Sequence, residues 1–207
     1  MLDKLFAEYK SKAEALKEDE AVICDIEEYI KGVVHDLLTD KDGFQIEFKP
    51  GSYLLIGGDV ALSKEVCKIF YEKLDAALPN HVYCFAILGN HELCSFNSYR
   101  ECVEWYRQFF YTTKIQFLEN EIMWNPKNGK TEKYEQISNQ DFSADYPVIL
   151  GGIGLSGLRL ECSKLRNDEL EQKISHHISM MHDSLREIIA NKKVIILTHM
   201  PYDLWLE

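Results

Sequence analysis

Two short apolar runs with a helical segment between them constrain the fold of this 207-residue chain more than any other feature. The runs are YLLI, residues 53–56, and VYCFAIL, residues 82–88, and such uniformly apolar runs are typical of buried strands in α/β proteins. Ser63 stands where it can cap a helix. Apolar residues follow it at helical spacing: Val66, Ile69, Phe70, Leu74 and Ala77. We therefore predict a right-handed strand–helix–strand unit with parallel strands.

Polar residues follow both runs, at the sheet edge where α/β proteins bind ligands. GGD, residues 57–59, comes after the first run, and GNHE, residues 89–92, comes after the second. A third apolar run, residues 194–197, leads into His199. We expect the three clusters to share one edge of the sheet. A simple turn is the alternative interpretation of the first cluster, because Gly and Asp are common turn residues.

The side chains in these clusters are typical ligands of divalent metal ions. Carboxylate, amide and imidazole groups suit Zn, Mn, Fe or Mg, and one carboxylate can bridge two such ions. A pair of ions ~3.5–4 Å apart favours phosphate-ester hydrolysis, because it lowers the pKa of a bound water and neutralises charge on the transferred phosphoryl group. The glycines allow the backbone to approach an ion or a phosphate closely.

The motifs resemble those of the calcineurin-like metallophosphoesterases. The signature of that family is Asp-x-His, Gly-Asp, Gly-Asn-His-Asp/Glu, a lone His after a strand, and Gly-His-x-His. This chain has GGD at 57–59, GNHE at 89–92 and THMP at 198–201, in the same order. The glycine-rich LGGIGLSG of residues 150–157 is also similar to the family. The resemblance covers residues 53–207, and it implies an α/β fold of the four-layer α/β/β/α sandwich type with two facing sheets.

The resemblance also implies a role for each polar residue. Asp59 would bridge two metal ions, and Asn90 and His199 would bind the second ion, with Asn90 also touching a phosphate oxygen. His91 would be the catalytic general acid or transition-state stabiliser, with Glu92 orienting its ring; a strand-end cap is the alternative for this histidine. A neighbouring carboxylate favours the imidazolium that a general acid requires. Two divalent ions, Mn, Fe or Zn, are the implied cofactors, and a phosphate ester is the implied substrate.

Two parts of the signature are missing from the chain. No Asp-x-His occurs in residues 1–50, and no Gly-His-x-His occurs in residues 201–207. We therefore expect residues 1–207 to be a fragment of a single calcineurin-like phosphoesterase domain, incomplete at both ends and impaired as an enzyme. His35 and the histidines of residues 175–182 are interpreted as surface or packing residues, since they lack the spacing of helical metal sites.

Composition indicates a soluble globular protein, with 46% hydrophobic and 28% charged residues. The net charge of -11 disfavours a general nucleic-acid or anionic-membrane surface. No stretch approaches the roughly 20 apolar residues of a membrane span, and the N-terminus lacks the apolar centre of a signal peptide, so we expect a cytoplasmic protein.

The six cysteines include no CxxC pair, which predicts reduced, mostly buried thiols. Cys94, near the presumed site, is interpreted as a small packing residue, with oxidation or binding of a soft metal as the alternative.

The remaining segments are predicted to be scaffold. A capping box, from Ser98 to Glu101, begins a second helix with apolar residues at helical spacing. The other predicted elements are helices within residues 1–38 and 170–188, short strands at residues 115–118 and 122–124, and a long loop at residues 125–145.

Two functions of different classes fit these observations. The first is metal-dependent hydrolysis of phosphate esters by a metal-activated water at a dinuclear site. The second is a non-catalytic or degenerate domain of the same fold, which binds one metal ion weakly and acts through protein contacts. Metal content after purification separates them, because two equivalents per chain favour the enzyme and fewer than one favours the degenerate domain. Protein phosphates, nucleotides, diesters and lipids all stay open as substrates.

Overall fold

The computed structural model of the protein describes residues 20–123, 132–133, 147–153 and 193–199. These residues form helices and two sheets, in the strand orders β1-β2-β3 and β5-β4-β6-β7. In chain order the elements are helix α1 (Glu20–Leu37), strand β1 (Tyr53–Ile56), helix α2 (Lys64–Ala77), strand β2 (Tyr83–Ala86), a 3-10 helix (Glu92–Ser95), helix α3 (Tyr99–Phe110), and strands β3 (Ile115–Phe117), β4 (Glu121–Met123), β5 (Glu132–Lys133), β6 (Val148–Gly152) and β7 (Val194–Thr198).

The first sheet contains the predicted strand–helix–strand unit. β1 pairs with β2 in parallel, from Tyr53 opposite Tyr83 to Ile56 opposite Ala86, and β2 pairs with β3 in parallel. The three strands therefore end at the same edge, and the predicted α/β class is confirmed. β2 is shorter than its apolar run, which continues as buried residues into the loop beyond Ala86.

The central position of β2 explains why its sequence is apolar without alternation. Cys84 and Ala86 are buried with residues of the helices, whereas Phe85 is buried against the second sheet. Side chains alternate between the two faces of a strand, so a strand covered on both faces must be apolar at every position. On the helical side, Tyr106 and Phe110 of α3 stack on Phe117 of β3, with ring centroids 5.8 and 5.5 Å apart.

The second sheet carries the third apolar run. β7 pairs with β6 in parallel, from Val148 opposite Val194 to Gly152 opposite Thr198, while β4 is antiparallel to β5 and β6. The expectation that all three polar clusters share one sheet edge is therefore wrong, because the third cluster follows a strand of the other sheet. An apolar layer lies between the two sheets and includes Phe85, Ile87, Leu118, Met123 and Ile149.

The start of α2 differs from the prediction in one detail. Ser63 occupies the N-cap position, but its side chain does not cap the helix. Its hydroxyl donates instead to the Glu65 carboxylate at 2.7 Å. The amide of Lys64 donates to Ser95 Oγ at 3.0 Å, so a residue of the 3-10 helix satisfies one of the free amides at the start of α2.

The predicted capping box of α3 is formed in part. Ser98 Oγ accepts from the amide of Glu101 at 3.1 Å, as expected. The reciprocal bond is shifted by one residue, since the Glu101 carboxylate accepts from the amide of Asn97 at 3.1 Å. This pair of bonds still satisfies two donors near the start of the helix.

Other predictions meet mixed outcomes. The two short strands are present as β3 and β4, but the predicted long loop is interrupted by β5, which pairs with β4. His35 is exposed near the end of α1, as expected of a surface histidine.

The predictions for residues 1–19, 170–188 and 175–182 lie outside the described residues. None of the helices in the described part of the chain combines the length and apolarity that crossing a membrane requires.

The cysteines follow the prediction at three positions and depart from it at one. Cys67, Cys84 and Cys102 are buried free thiols. Burial raises the pKa of Cys84 to about 12, so this thiol stays protonated at physiological pH. Cys94 is disulfide-bonded, so the expectation of reduced thiols is wrong at this position.

Candidate metal centre

The loop after β1 carries Asp59 on a left-handed backbone. Gly58 has a φ of 80° and Asp59 a φ of 57°, a region that residues with a side chain seldom adopt, although aspartate tolerates it better than most. A Cβ at Gly58 would lie 2.2 Å from the amide nitrogen of Gly89, so only glycine fits there. The segment is a tight turn that also brings Asp59 to the carboxyl edge of the first sheet. The two interpretations of this cluster, turn and ligand, are therefore compatible.

The loop after β2 packs directly against that turn. A Cβ at Gly89 would lie 2.2 Å from Asp59 Oδ1, so no side chain can separate the two backbones. The amide of His91 donates to the same Oδ1 at 3.0 Å. Asp59 Oδ2 lies 3.7 Å from Nδ1 of the His91 ring, and the His91 side chain is 33% exposed. Asp59 and His91 thus lie side by side, as parallel pairing of their strands predicts.

Glu92 is a buried carboxylate that binds the backbone of both loops. Only 2% of its surface is exposed. Its Oε2 accepts from the amides of Asp59 and Gly89 at 2.9 and 2.8 Å, and its Oε1 accepts from the amide of Val60 at 2.6 Å. Burial raises the pKa of Glu92, although the amide bonds act in the opposite direction. The family resemblance implied that Glu92 orients the His91 ring, but both oxygens of its carboxylate are bonded to backbone amides.

His199 reaches this point from the second sheet. Its Nδ1 lies 2.9 Å from the carbonyl oxygen of Gly57. A carbonyl oxygen can only accept, so Nδ1 must carry a proton, and the lone pair of the neutral ring lies on Nε2. This is the usual way in which a metal-binding histidine is oriented by its other nitrogen.

Three donor atoms from three segments converge around His199. Its Nε2 lies 3.0 Å from Asn90 Oδ1 and 3.3 Å from Asp59 Oδ2. Ligand atoms about 2.1 Å from one ion and at right angles to each other lie about 3 Å apart, so this spacing fits a single coordination sphere. A carboxylate oxygen, an amide oxygen and an oriented imidazole nitrogen are also a donor set that Mn, Fe or Zn accepts. The residues present therefore fit a divalent cation.

The electrostatics of the donor set favour a positive charge between its members. Burial by itself raises the pKa of Asp59, but hydrogen bonds from His199 and His91 outweigh that effect and place it below the usual value. The bond with Asp59 raises the pKa of His199, against the opposing effect of burial. When Nε2 of His199 is protonated, it can donate to Asn90 Oδ1 or Asp59 Oδ2. A divalent cation can replace that proton, since metal binding and protonation compete for the same lone pair.

Asn90 is needed to complete this donor set. Within the described ranges, no group of three His, Cys, Asp or Glu side chains is placed to hold a metal ion. The amide of Asn90 supplies the third donor beside Asp59 and His199. Of the three residues that the sequence singled out as metal ligands, His199 thus contacts both Asn90 and Asp59, and His91 lies beside Asp59.

Two features of this region escaped the sequence analysis. The first is the carbonyl of Gly57, which orients His199 and carries no side-chain signal at all. The second is Ser95, whose Oγ donates to the carbonyl of Leu62 at 2.7 Å and accepts from the amide of Lys64. Ser95 stands three residues after Glu92, which is the spacing of one 3-10 turn, and that spacing is the signal that could have revealed it.

Comparison with known proteins gives one positive result. The family model for calcineurin-like phosphoesterases matches residues 26–205. No curated protein and no solved structure matches the chain. The matched range contains both sheets and all of the polar clusters described above.

Proposed function

The chain belongs to the calcineurin-like phosphoesterase family, and on that premise we propose that it hydrolyses phosphate esters with the help of divalent metal ions. The observation that carries this proposal is the convergence of three donor atoms, with Asn90 Oδ1 and Asp59 Oδ2 both within 3.3 Å of His199 Nε2. The three polar side chains come from loops of two separate sheets. Packing of the apolar layer between the sheets does not by itself require these side chains to meet.

We assign metal binding to Asp59, Asn90 and His199. These residues would hold a divalent ion, which would supply positive charge to stabilise a phosphoryl group in the transition state and would lower the pKa of a water molecule. Asp59 is the residue suited to bridge a second ion, because a carboxylate can share its two oxygens between metals. The dinuclear site and the identity of its metals, Mn, Fe or Zn, are part of the proposal.

We assign proton transfer to His91. Its ring lies beside the donor set but outside it, 3.7 Å from Asp59 Oδ2, and a third of its side chain is open to solvent. A group in this position can reach a substrate oxygen without giving up its nitrogen to a metal ion. General acid catalysis of the leaving-group oxygen is the step that such a histidine can perform.

Net charge makes the metal important for substrate binding as well as for chemistry. The chain carries a net charge of -11, which repels phosphate. Asp59 adds a negative charge at the centre itself, since its pKa is lowered. A phosphate ester therefore gains a favourable binding partner only when cations occupy the donor set.

A degenerate, non-catalytic domain is the second candidate. It is favoured by the small number of ionisable ligands, because the described residues include no group of three His, Cys, Asp or Glu side chains that could hold an ion. Such a domain would bind one ion weakly and act through protein contacts.

Metal titration with a phosphodiester assay tests the proposal. The protein is stripped of metal and titrated with Mn²⁺ in a calorimeter, and hydrolysis of a chromogenic phosphodiester is followed in parallel. We expect saturable Mn²⁺ binding and metal-dependent turnover, slow because residues 1–207 are predicted to be impaired, with both lost in Asp59→Asn, which keeps the shape of the side chain but not its charge. His35→Gln is the matched control, because this exposed histidine is remote from the donor set in sequence and is expected to change neither property. Binding without any turnover would favour the degenerate domain, and unchanged binding in Asp59→Asn would refute the assigned site.

A further inference from the structure

The 3-10 helix that follows His91 points two side chains at the loop between β1 and α2. Glu92 and Ser95 are three residues apart, and a 3-10 helix has three residues per turn, so their side chains lie on the same face. Ser95 binds the end of that loop through Leu62 and Lys64. Glu92 binds its beginning, where Asp59 lies. The helix is therefore tied to the loop at two separate points.

Glu92 acts on the peptide groups on both sides of Asp59. The amide of Asp59 precedes its Cα and the amide of Val60 follows it, and both donate to the one carboxylate. Successive amides that point at a single anion fix the backbone dihedral angles of the residue between them. That residue has the left-handed φ of 57°, which the loop would not favour without such support.

The third bond of Glu92 fixes the distance between the two loops. Its Oε2 is shared by the amides of Asp59 and Gly89, at 2.9 and 2.8 Å. Gly89 immediately precedes Asn90, which supplies the amide oxygen of the donor set. The buried carboxylate of Glu92 thus fixes the backbone positions from which the side chains of Asp59 and Asn90 extend.

The cost of burying this group indicates that it has a purpose beyond packing. A carboxylate that is 2% exposed loses its hydration, and an apolar residue of similar size would avoid that loss. Three amide donors compensate for it, and these amides belong to the two loops that carry the donor set. The bonds organise the loops in a way that an apolar residue could not.

We infer that Glu92 is a positioning residue of the metal centre: its carboxylate holds the backbone of Asp59, Val60 and Gly89, and so places the carboxylate of Asp59 beside Asn90 and His199. This role rests on the proposed function, since it concerns the same donor set. The role implied by the family resemblance, in which Glu92 orients the ring of His91, stays a separate prediction.

The test compares Glu92→Gln with Ser95→Ala in residues 1–207. Glu92→Gln keeps the size of the side chain but turns one acceptor oxygen into a donor that faces an amide. Ser95→Ala is the matched control, because it removes a tie between the same helix and the same loop but leaves the backbone of Asp59 bonded to Glu92. Mn²⁺ affinity is measured by calorimetry, and backbone amide resonances are recorded on the metal-free proteins.

We expect the Mn²⁺ dissociation constant to rise about 10- to 100-fold in Glu92→Gln, as when a supporting partner of a metal ligand is lost. Ser95→Ala should stay within about twofold of the wild type, because Ser95 binds Leu62 and Lys64 and is not a supporting partner of a donor residue. In the metal-free Gln variant, the amide proton resonances of Asp59, Val60 and Gly89 should move upfield, since a charge-assisted bond is weakened. In Ser95→Ala these three resonances should keep their positions, and Lys64 should move instead.

Two outcomes would overturn the inference while leaving the proposed function intact. One is unchanged Mn²⁺ affinity in Glu92→Gln, and the other is unchanged resonances of the three amides. Failure of the wild-type chain to bind Mn²⁺ would instead count against the proposed function itself. If Glu92→Gln does not fold, hydrogen exchange of the wild-type protein decides the matter. Slow exchange of the Asp59, Val60 and Gly89 amides supports the positioning role, and exchange as fast as in an exposed loop refutes it.

Discussion

His199 donates from Nδ1 to the carbonyl oxygen of Gly57 at 2.9 Å, although the two residues follow strands of different sheets. This bond determines which nitrogen of the ring faces the donor set. Nε2 is directed at Asn90 Oδ1 and Asp59 Oδ2, where a metal ion can use its lone pair. The histidine is therefore oriented by the backbone of the same loop that carries the carboxylate.

Replacing that imidazole should weaken metal binding. His199→Gln removes the nitrogen donor and the bond that orients it, so we expect the Mn²⁺ affinity to fall about 10- to 100-fold. Calorimetric titration of the variant against the wild type measures the change. His81→Gln is a suitable comparison, because His81 also binds a backbone carbonyl, that of Phe48 at 2.7 Å, but is exposed and stands at the opposite end of β2 from the donor set. Equal affinities for His199→Gln and the wild type would remove His199 from the donor set.

Replacing His91 should affect turnover much more than metal occupancy. His91→Asn removes the proposed proton donor, and general acid catalysis is typically worth about 100- to 10,000-fold in rate. The loss should be smaller for phosphodiesters with acidic leaving groups, which need little protonation. Turnover and bound metal are measured on the same preparation. Metal loss in proportion to the loss of activity would mean that His91 is a ligand instead.

Much of the fold and of the donor set could be predicted because the signals are local. An uninterrupted apolar run predicts a strand buried on both faces, as β2 proves to be. The spacing of apolar residues locates α2 and α3 to within a few residues. Polar residues directly after parallel strands must meet at one edge, which brings Asp59 and His91 together.

What could not be predicted depends on contacts between distant segments. The placement of β7 in the second sheet follows from its pairing with β6, and nothing in its own sequence specifies that partner. Ser63 is a typical N-cap residue, but its side chain does not cap α2, and Ser95 of the 3-10 helix binds the amide of Lys64 at the start of α2. Glu92 sits next to His91 in sequence, yet the 3-10 turn directs its side chain to the backbone of the other loop.

A buried carboxylate that is not part of the donor set should make stability depend on pH. Glu119 is almost fully buried and accepts hydrogen bonds from the hydroxyl of Tyr99 and, at 3.1 Å, from the side-chain Nδ2 of Asn120. Burial raises its pKa to about 7, with Glu121 adding to the rise and Arg107 opposing it. The folded state therefore holds this proton more tightly than the unfolded state does. The stability it contributes is complete below about pH 4.5 and is lost as the pH rises through about 7.

Glu119→Gln should remove this dependence, because the amide does not titrate. Between pH 5 and pH 8, the unfolding free energy of the variant should improve relative to the wild type by up to about 3 kcal/mol. Denaturant unfolding at both pH values measures the difference, and taking wild type minus variant cancels the titration of all other groups. Parallel stability curves for the two proteins would show that the pKa of Glu119 is not raised.

The contact between the two loops should make Gly58 intolerant of any side chain. In Gly58→Ala the new Cβ would lie 2.2 Å from the backbone nitrogen of Gly89, and the residue would have to keep a φ of 80°. Backbone cannot move aside as a flexible side chain can, so we expect destabilisation of about 1–3 kcal/mol and a loss of Mn²⁺ affinity as Asp59 shifts. Gly57→Ala is the matched control, since a Cβ there meets nothing within 4 Å. Thermal unfolding and calorimetric titration of both variants provide the comparison. Wild-type stability and affinity in Gly58→Ala would mean that the two loops do not make this backbone contact in solution.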